Sequence, residues 1–88
     1  MTLKDIREKI DLIDDELITL IKKRINLLKD IIIIKHDQGI SVLDKDREEQ
    51  ILSKADNLDL LYRDTVRGVL STLIDKSRHL QIKLNEYE

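Results

Sequence analysis

The stretch "TLKDIREKIDLIDDELITLIKKRINLLKDIIIIKHDQG", residues 2–39, decides the fold. Thr2 followed three positions later by Asp5 has the form of a capping box, which opens a helix. Apolar residues then recur in a heptad-like step: Leu3, Ile6, Ile10, Ile13, Leu17 and Leu20, and after a gap Leu27, Ile31 and Ile34. No breaker interrupts this period until Gly39, which offers a left-handed stop. The pattern predicts a single helix over about residues 4–37, on the order of 50 Å long at ~1.5 Å per residue. The run of four isoleucines at 31–34 has local strand propensity, but inside so long a helical period it reads as helix covered on several sides.

The rest of the chain follows the same texture. Asp44 is a natural N-cap for a short second helix ending near Ala55, with Ile51, Leu52 and Ala55 as its apolar face. "DNLD" at 56–59 reads as a turn. A third helix runs from about Leu60 to Asn85, with Val66, Leu70, Leu73, Leu80 and Leu84 on one stripe. No proline, two glycines, and no Phe or Trp complete an all-α composition: one long, one short and one medium helix. The 88 residues are expected to form a single domain, 1–88.

Charge and composition narrow the class of function. Sixteen basic and eighteen acidic residues give a net charge of −2, without the basic footprint that nucleic acid requires. Cysteine is absent, so disulfides and thiolate metal sites are excluded. The opening "MTLKDIREKI" is charged at once, and no apolar run approaches the ~20 residues of a membrane span. The expectation is a cytoplasmic protein with neither membrane nor nucleic-acid partner. The first helix is longer than its neighbours and its apolar surface is wide. Two shorter helices cannot cover all of it, which predicts an oligomer, most simply a two-fold homodimer.

Functional candidates are polar residues standing where the period calls for apolar ones. In the first helix the step from Leu17 and Leu20 lands on Arg24. A guanidinium inside an apolar stripe must find an anion, since an unpaired buried charge is costly. Lys35, about three turns further on, shares its face. Arg7 flanks the stripe about 25 Å from Arg24 along the axis, too far to share a small ligand within one helix. An antiparallel dimer could bring the Arg7 of one chain to the Arg24 of the other. In the third helix Ser77 and Gln81 stand at i, i+4 among Leu73, Ile74, Leu80 and Leu84. In the second, Glu48 lies on the core-facing side with Asp44 one turn before it. A lone arginine or serine at a core edge ordinarily snorkels or pairs; three helices that all break their stripes need a common explanation. His36 and His79 have no partner at metal-ligand spacing and read as surface residues. Asp14, Asp15, Glu16, Lys22 and Lys23 read as solvated helix charges, and Tyr62 as packing at a helix start.

Taken together, "IREKIDLIDDELITLIKKRINLLKDIIIIKHDQGISVLDKDREEQIL" (residues 6–52) and "SRHLQ" (77–81) resemble the all-helical, type II chorismate mutases. The likeness rests on the opening R-x-K-I-D-x-I-D, the Arg of "KKR", a Lys eleven residues later, V-x-D-x-x-R-E, and a Ser and Gln four apart. It implies an intertwined three-helix homodimer with two sites, each completed by an Arg from the other chain. Residue by residue, it implies that Arg7 of one subunit and Arg24 of the other hold the carboxylates of chorismate. Lys35 contacts a carboxylate and the ether oxygen, and Gln81 sits at that same oxygen. Glu48 takes the ring hydroxyl near the Asp44 backbone, while Arg47 and Ser77 complete the pocket. Of the charged run 44–49, Asp44, Arg47 and Glu48 are thus expected to face the site, and Lys45, Asp46 and Glu49 to face water.

The implied reaction, chorismate to prephenate, is an intramolecular rearrangement with no nucleophile or obligatory proton transfer. It implies no cofactor and no metal. Two rival readings stand beside it: an isochorismate-pyruvate lyase on the same fold, and a non-catalytic helical dimerisation or regulatory module. Glu48 with Gln81 favours the mutase over the lyase. The module would be expected to have lost some site cations, and Arg7, Arg24, Lys35 and Arg47 are all present.

Overall fold

A computed structural model describes residues 1–86. Helix α1 spans Leu3–Gln38. Its start is the expected capping box: Asp5 N–H donates to Thr2 Oγ1 at 3.2 Å, and Thr2 N–H donates to Asp5 Oδ2 at 3.0 Å. Its end is a left-handed Gly39 at φ 66°, ψ 27°. There the Gly39 N–H donates to the His36 carbonyl and the Ile40 N–H to that of Lys35, two bonds that close the orphan carbonyls of the last turn. Helix α2 spans Lys45–Leu52, capped by Asp44, whose Oδ1 accepts from the Arg47 N–H at 3.0 Å. One tight turn of 3-10 helix, Ser53–Ala55, continues it, so the second helical segment ends as expected but changes pitch in its last three residues. After a turn at 56–59, braced by the Arg63 guanidinium donating to the Leu58 carbonyl, α3 spans Leu60–Glu86.

Helix α3 packs against α1, α2 and the 3-10 turn, so it is the element on which the others assemble. Ala55, in the 3-10 turn that packs on α3, is fully buried, so a larger side chain there would hold the turn off its neighbours. The expected stripe of α3 is half-buried throughout, and the residues fully buried between its members are Ile74, Ser77 and Gln81.

On α1 the inward face differs from the expected stripe. Leu28 and Ile32 are buried and Arg24, Ile25 and Lys35 half-buried, whereas Leu27, Ile31 and Ile34 are exposed. The reason is the pitch. A straight helix turns 3.6 residues per turn, so a stripe counted in heptads drifts off a fixed line by roughly 20° per repeat. The positions that stay on the α3 side are spaced by four, four and three residues: 24, 28, 32 and 35. Tyr62 is also corrected: it is 55% exposed, because the first turn of α3 projects past the elements that could cover it.

The molecule measures 54 × 27 × 14 Å. Its long axis is α1 itself, and its thin axis is barely more than one helix diameter of roughly 10–12 Å. The radius of gyration is 16.3 Å, against roughly 12 Å for a compact chain of this length. The accessible surface is 7355 Å², against roughly 5400 Å² for a folded monomer of this mass. Much of the excess is apolar: Leu3, Ile6, Ile10, Ile13, Leu17, Ile18 and Leu20 of α1 are all exposed. Among the described residues no helix is long and apolar enough to cross a membrane.

Candidate active site

A cavity of about 380 Å³ lies where the second half of α1, the start of α2 and the second half of α3 converge. That is within the range of small-molecule sites. Its apolar wall is Leu27, Leu28, Ile31, Ile51 and Ile74. Its polar groups are Arg24 and Lys35 from α1, Asp44 and Arg47 at the start of α2, and Ser77, Arg78 and Gln81 from α3. Six of the eight residues singled out in the sequence therefore meet in one cavity.

Each polar group is held by a local cause. Arg24 Nη1 donates to Ser77 Oγ, and that hydroxyl donates in turn to the Leu73 carbonyl at 2.6 Å. The serine thus closes its own helix turn and aims the guanidinium of α1 across to α3. A guanidinium has five N–H donors, so this bond leaves donors over for an anion. Lys35 Nζ donates to the Val42 carbonyl at 3.1 Å, tying the end of α1 to the loop that leads into α2. An ammonium has three donors, and its other two remain for a ligand. Arg47 Nη1 donates to Gln50 Oε1 at 3.3 Å. The side chain of Gln81 is buried, and its Oε1 is sealed from water with no donor. A buried acceptor without a partner is costly, which marks this corner as incomplete until a polar group enters.

Glu48 does not line the cavity; it is placed beside it by a contact the sequence reading missed. Arg78 Nη2 donates to Glu48 Oε1 at 2.6 Å, joining α3 to α2, while Arg78 Nη1 reaches Asp75 Oδ1 at 3.4 Å. The hydrogen bond that Arg78 donates to Glu48 raises the Arg78 pKa most, burial works against it, and the charges of Glu48 and Asp75 add to the rise. Arg78 is thus a cation at every accessible pH. The expected water-facing members of the run, Lys45, Asp46 and Glu49, are exposed, and so are His36 and His79. Among the described residues no group of three His, Asp or Glu side chains converges as a metal site.

Arg7 stands apart. It lies on the second turn of α1, exposed, and makes no hydrogen bond or ion pair among the described residues. The rise of the helix keeps it about 25 Å along the axis from Arg24.

The cavity's charge is its most specific feature. Arg24, Lys35, Arg47 and Arg78 face two carboxylates, Asp44 on the wall and Glu48 bound to Arg78. The cavity therefore carries two uncompensated positive charges within a chain that is net negative. Such a site selects a small dianion.

Comparison with known proteins agrees with the resemblance read from the sequence. The family model described as "Chorismate mutase type II" matches residues 6–82. A chorismate mutase from Methanocaldococcus jannaschii is 42% identical over 52 residues, which are 59% of this chain and 52% of the relative. The chain thus spans about half the length of that curated relative. No solved structure matches it significantly.

Proposed function

The chain belongs to the type II chorismate mutase family, and from that premise we propose that it converts chorismate to prephenate, a step toward phenylalanine and tyrosine. The observation that carries the reading is the cavity with two surplus positive charges. Chorismate is a dicarboxylate, and Arg24, Lys35 and Arg47 supply the donors for its two anionic groups. The rearrangement breaks a carbon–oxygen bond and forms a carbon–carbon bond within one molecule. Catalysis therefore consists of holding the compact conformer in which the reacting carbons meet, and of stabilising charge that grows on the ether oxygen. Arg24 and Arg47 bind; Lys35 and Gln81 act at the ether oxygen; Glu48 accepts from the ring hydroxyl; Asp44 and Ser77 hold their neighbours in place. A chain without cysteine suits a reducing cytoplasm, where this reaction would run. The test is direct. Mixing the purified protein with chorismate should consume its absorbance and yield prephenate. Release of pyruvate from isochorismate, tested beside it, would instead mark a lyase, and turnover of neither compound a non-catalytic module.

The same reading makes the active unit a homodimer. An accessible surface roughly 2000 Å² above that of a compact monomer, concentrated on the exposed apolar residues of α1, is on the scale of an obligate interface. A two-fold, antiparallel arrangement of α1 with its copy would supply Arg7 of one chain to the cavity of the other, and among the described residues Arg7 is exposed and makes no hydrogen bond or ion pair within its own chain. Arg7→Ala and Arg24→Ala chains should each be nearly inactive, while sedimenting at twice the 10.4 kDa chain mass. Mixed and re-equilibrated, they should regain about a quarter of wild-type activity, since half the dimers are mixed and each has one intact site. No recovery in verified mixed dimers would place both arginines in the same chain's site.

A further inference from the structure

Arg78 makes the one side-chain ion pair that joins two helices among the described residues, and it does so at the edge of the cavity. Three observations single it out. Its Nη2 holds Oε1 of Glu48, at 2.6 Å, and the carboxylate's other oxygen has no hydrogen-bond partner among the described residues. Its Nη1 is steadied from the far side by Asp75 on its own helix. Its Nε is sealed from water without an acceptor, one turn from the equally unpartnered Oε1 of Gln81. This corner of the cavity has a donor and an acceptor that nothing among the described residues satisfies.

We propose that Arg78 is a positioning residue that clamps Glu48 by one oxygen and so presents the other, Oε2, to the substrate's ring hydroxyl. The proposal rests on the function given above and deepens it. A carboxylate at the end of a glutamate turns easily about its last bond, and its two oxygens are equivalent. Left free, Glu48 samples many directions, and a hydroxyl arriving from the cavity meets a properly aimed oxygen only part of the time. A charge-assisted bond to Oε1 removes that freedom before substrate arrives. The clamp has a second effect. With Arg78 neutralised by Glu48 and Asp75, the cations left to grip carboxylates are Arg24, Lys35 and Arg47, so the substrate has one orientation in which its anionic groups and its hydroxyl are all satisfied. Arg78 thus acts through Glu48 and touches no reacting atom.

The test compares two substrates: chorismate, and the analogue in which hydrogen replaces the ring hydroxyl. Arg78→Met keeps much of the length and apolar stem of the side chain while removing the donor. On chorismate it should lower kcat/KM by about 10- to 100-fold, the loss expected for one charge-assisted contact. On the hydroxyl-free analogue the loss caused by Arg78→Met should be at least about fivefold smaller than on chorismate, since the clamp then has nothing to aim at. Arg78→Lys, which can restore one charged donor to Glu48, should recover most of the chorismate activity. The double variant Arg78→Met/Glu48→Gln should be no worse than the poorer single one. An equal loss on both substrates, or no loss on chorismate, overturns the proposal. Should Arg78→Met fail to fold by circular dichroism, Arg78→Gln, which keeps a polar head, is carried through the same two-substrate comparison. A wild-type protein that turns over neither substrate would instead sink the functional reading itself, and this proposal with it.

Discussion

Replacing Lys35 by alanine should lower kcat/KM for chorismate by at least ~10²-fold, the loss characteristic of one preorganised donor to a developing negative charge. Lys35 is half-buried at the end of α1, with one donor engaged by the Val42 carbonyl and the others open to the cavity. The ammonium is therefore already aimed before substrate binds, and its position needs no rearrangement in the transition state. Charge grows on the ether oxygen only as the carbon–oxygen bond breaks, so the larger part of the loss should fall on kcat. A smaller rise in KM should accompany it, because a cation at this wall also meets a substrate carboxylate. The loop carbonyl freed by the substitution is only partly buried and can turn to water, so the circular dichroism spectrum should be preserved. A fall in KM-dependent binding with kcat untouched would remove Lys35 from the breaking bond.

Gln81→Glu should nearly abolish activity at neutral pH and return it as the pH falls. The side chain is buried and its oxygen has no donor, so the position offers no internal partner to absorb a new charge. While ionised, a carboxylate there repels the ether oxygen and can donate nothing to it. Once protonated it is a donor of nearly the same shape as the amide. The wild-type amide does not titrate, so wild-type activity should stay comparatively flat over the range in which the variant changes. The sign is therefore fixed: activity of the variant rises as pH falls through the pKa of the new carboxyl. The difference between the two pH profiles between about pH 5 and 8 is the measurement. Parallel profiles with an intact dimer would show that residue 81 does not face the oxygen.

Much of this site was legible before any coordinates, and for local reasons. The bounds of α1 follow from chemistry confined to a few residues: Thr2 with Asp5 at one end, Gly39 at the other. Asp44 as the cap of α2 is likewise a contact across three residues. Arg24, Ser77 and Gln81 stood out because each interrupts an apolar period, and Lys35 because it shares the face of Arg24; all four line the cavity. What was missed depends on how one helix is rotated against another. Each residue advances a helix by about 100°, so a small error in facing decides whether Leu27 or Leu28 points at α3. The same ambiguity hid Arg78. It lies between Ser77 and Gln81 in "SRHLQ", one residue from the first and three from the second, and reads as the wet side of the helix. A signal was nonetheless present: Glu48 on a core-facing side needs a cation, and Arg78 is a basic residue placed between two stripe-breaking positions.

The stop at Gly39 reaches further than the end of a helix. A methyl group added there would meet nothing within 4 Å, so crowding is no obstacle to a larger residue. The obstacle is handedness. At φ 66° an L-amino acid sets its side chain against its own backbone, at a cost of roughly 1–2 kcal/mol, while a D-amino acid would be at ease. Five residues separate this turn from the first turn of α2, and they carry both the carbonyl that steadies Lys35 and the aspartate that opens α2. Handedness alone thus limits what residue 39 can be, at a position outside the cavity wall with room to spare.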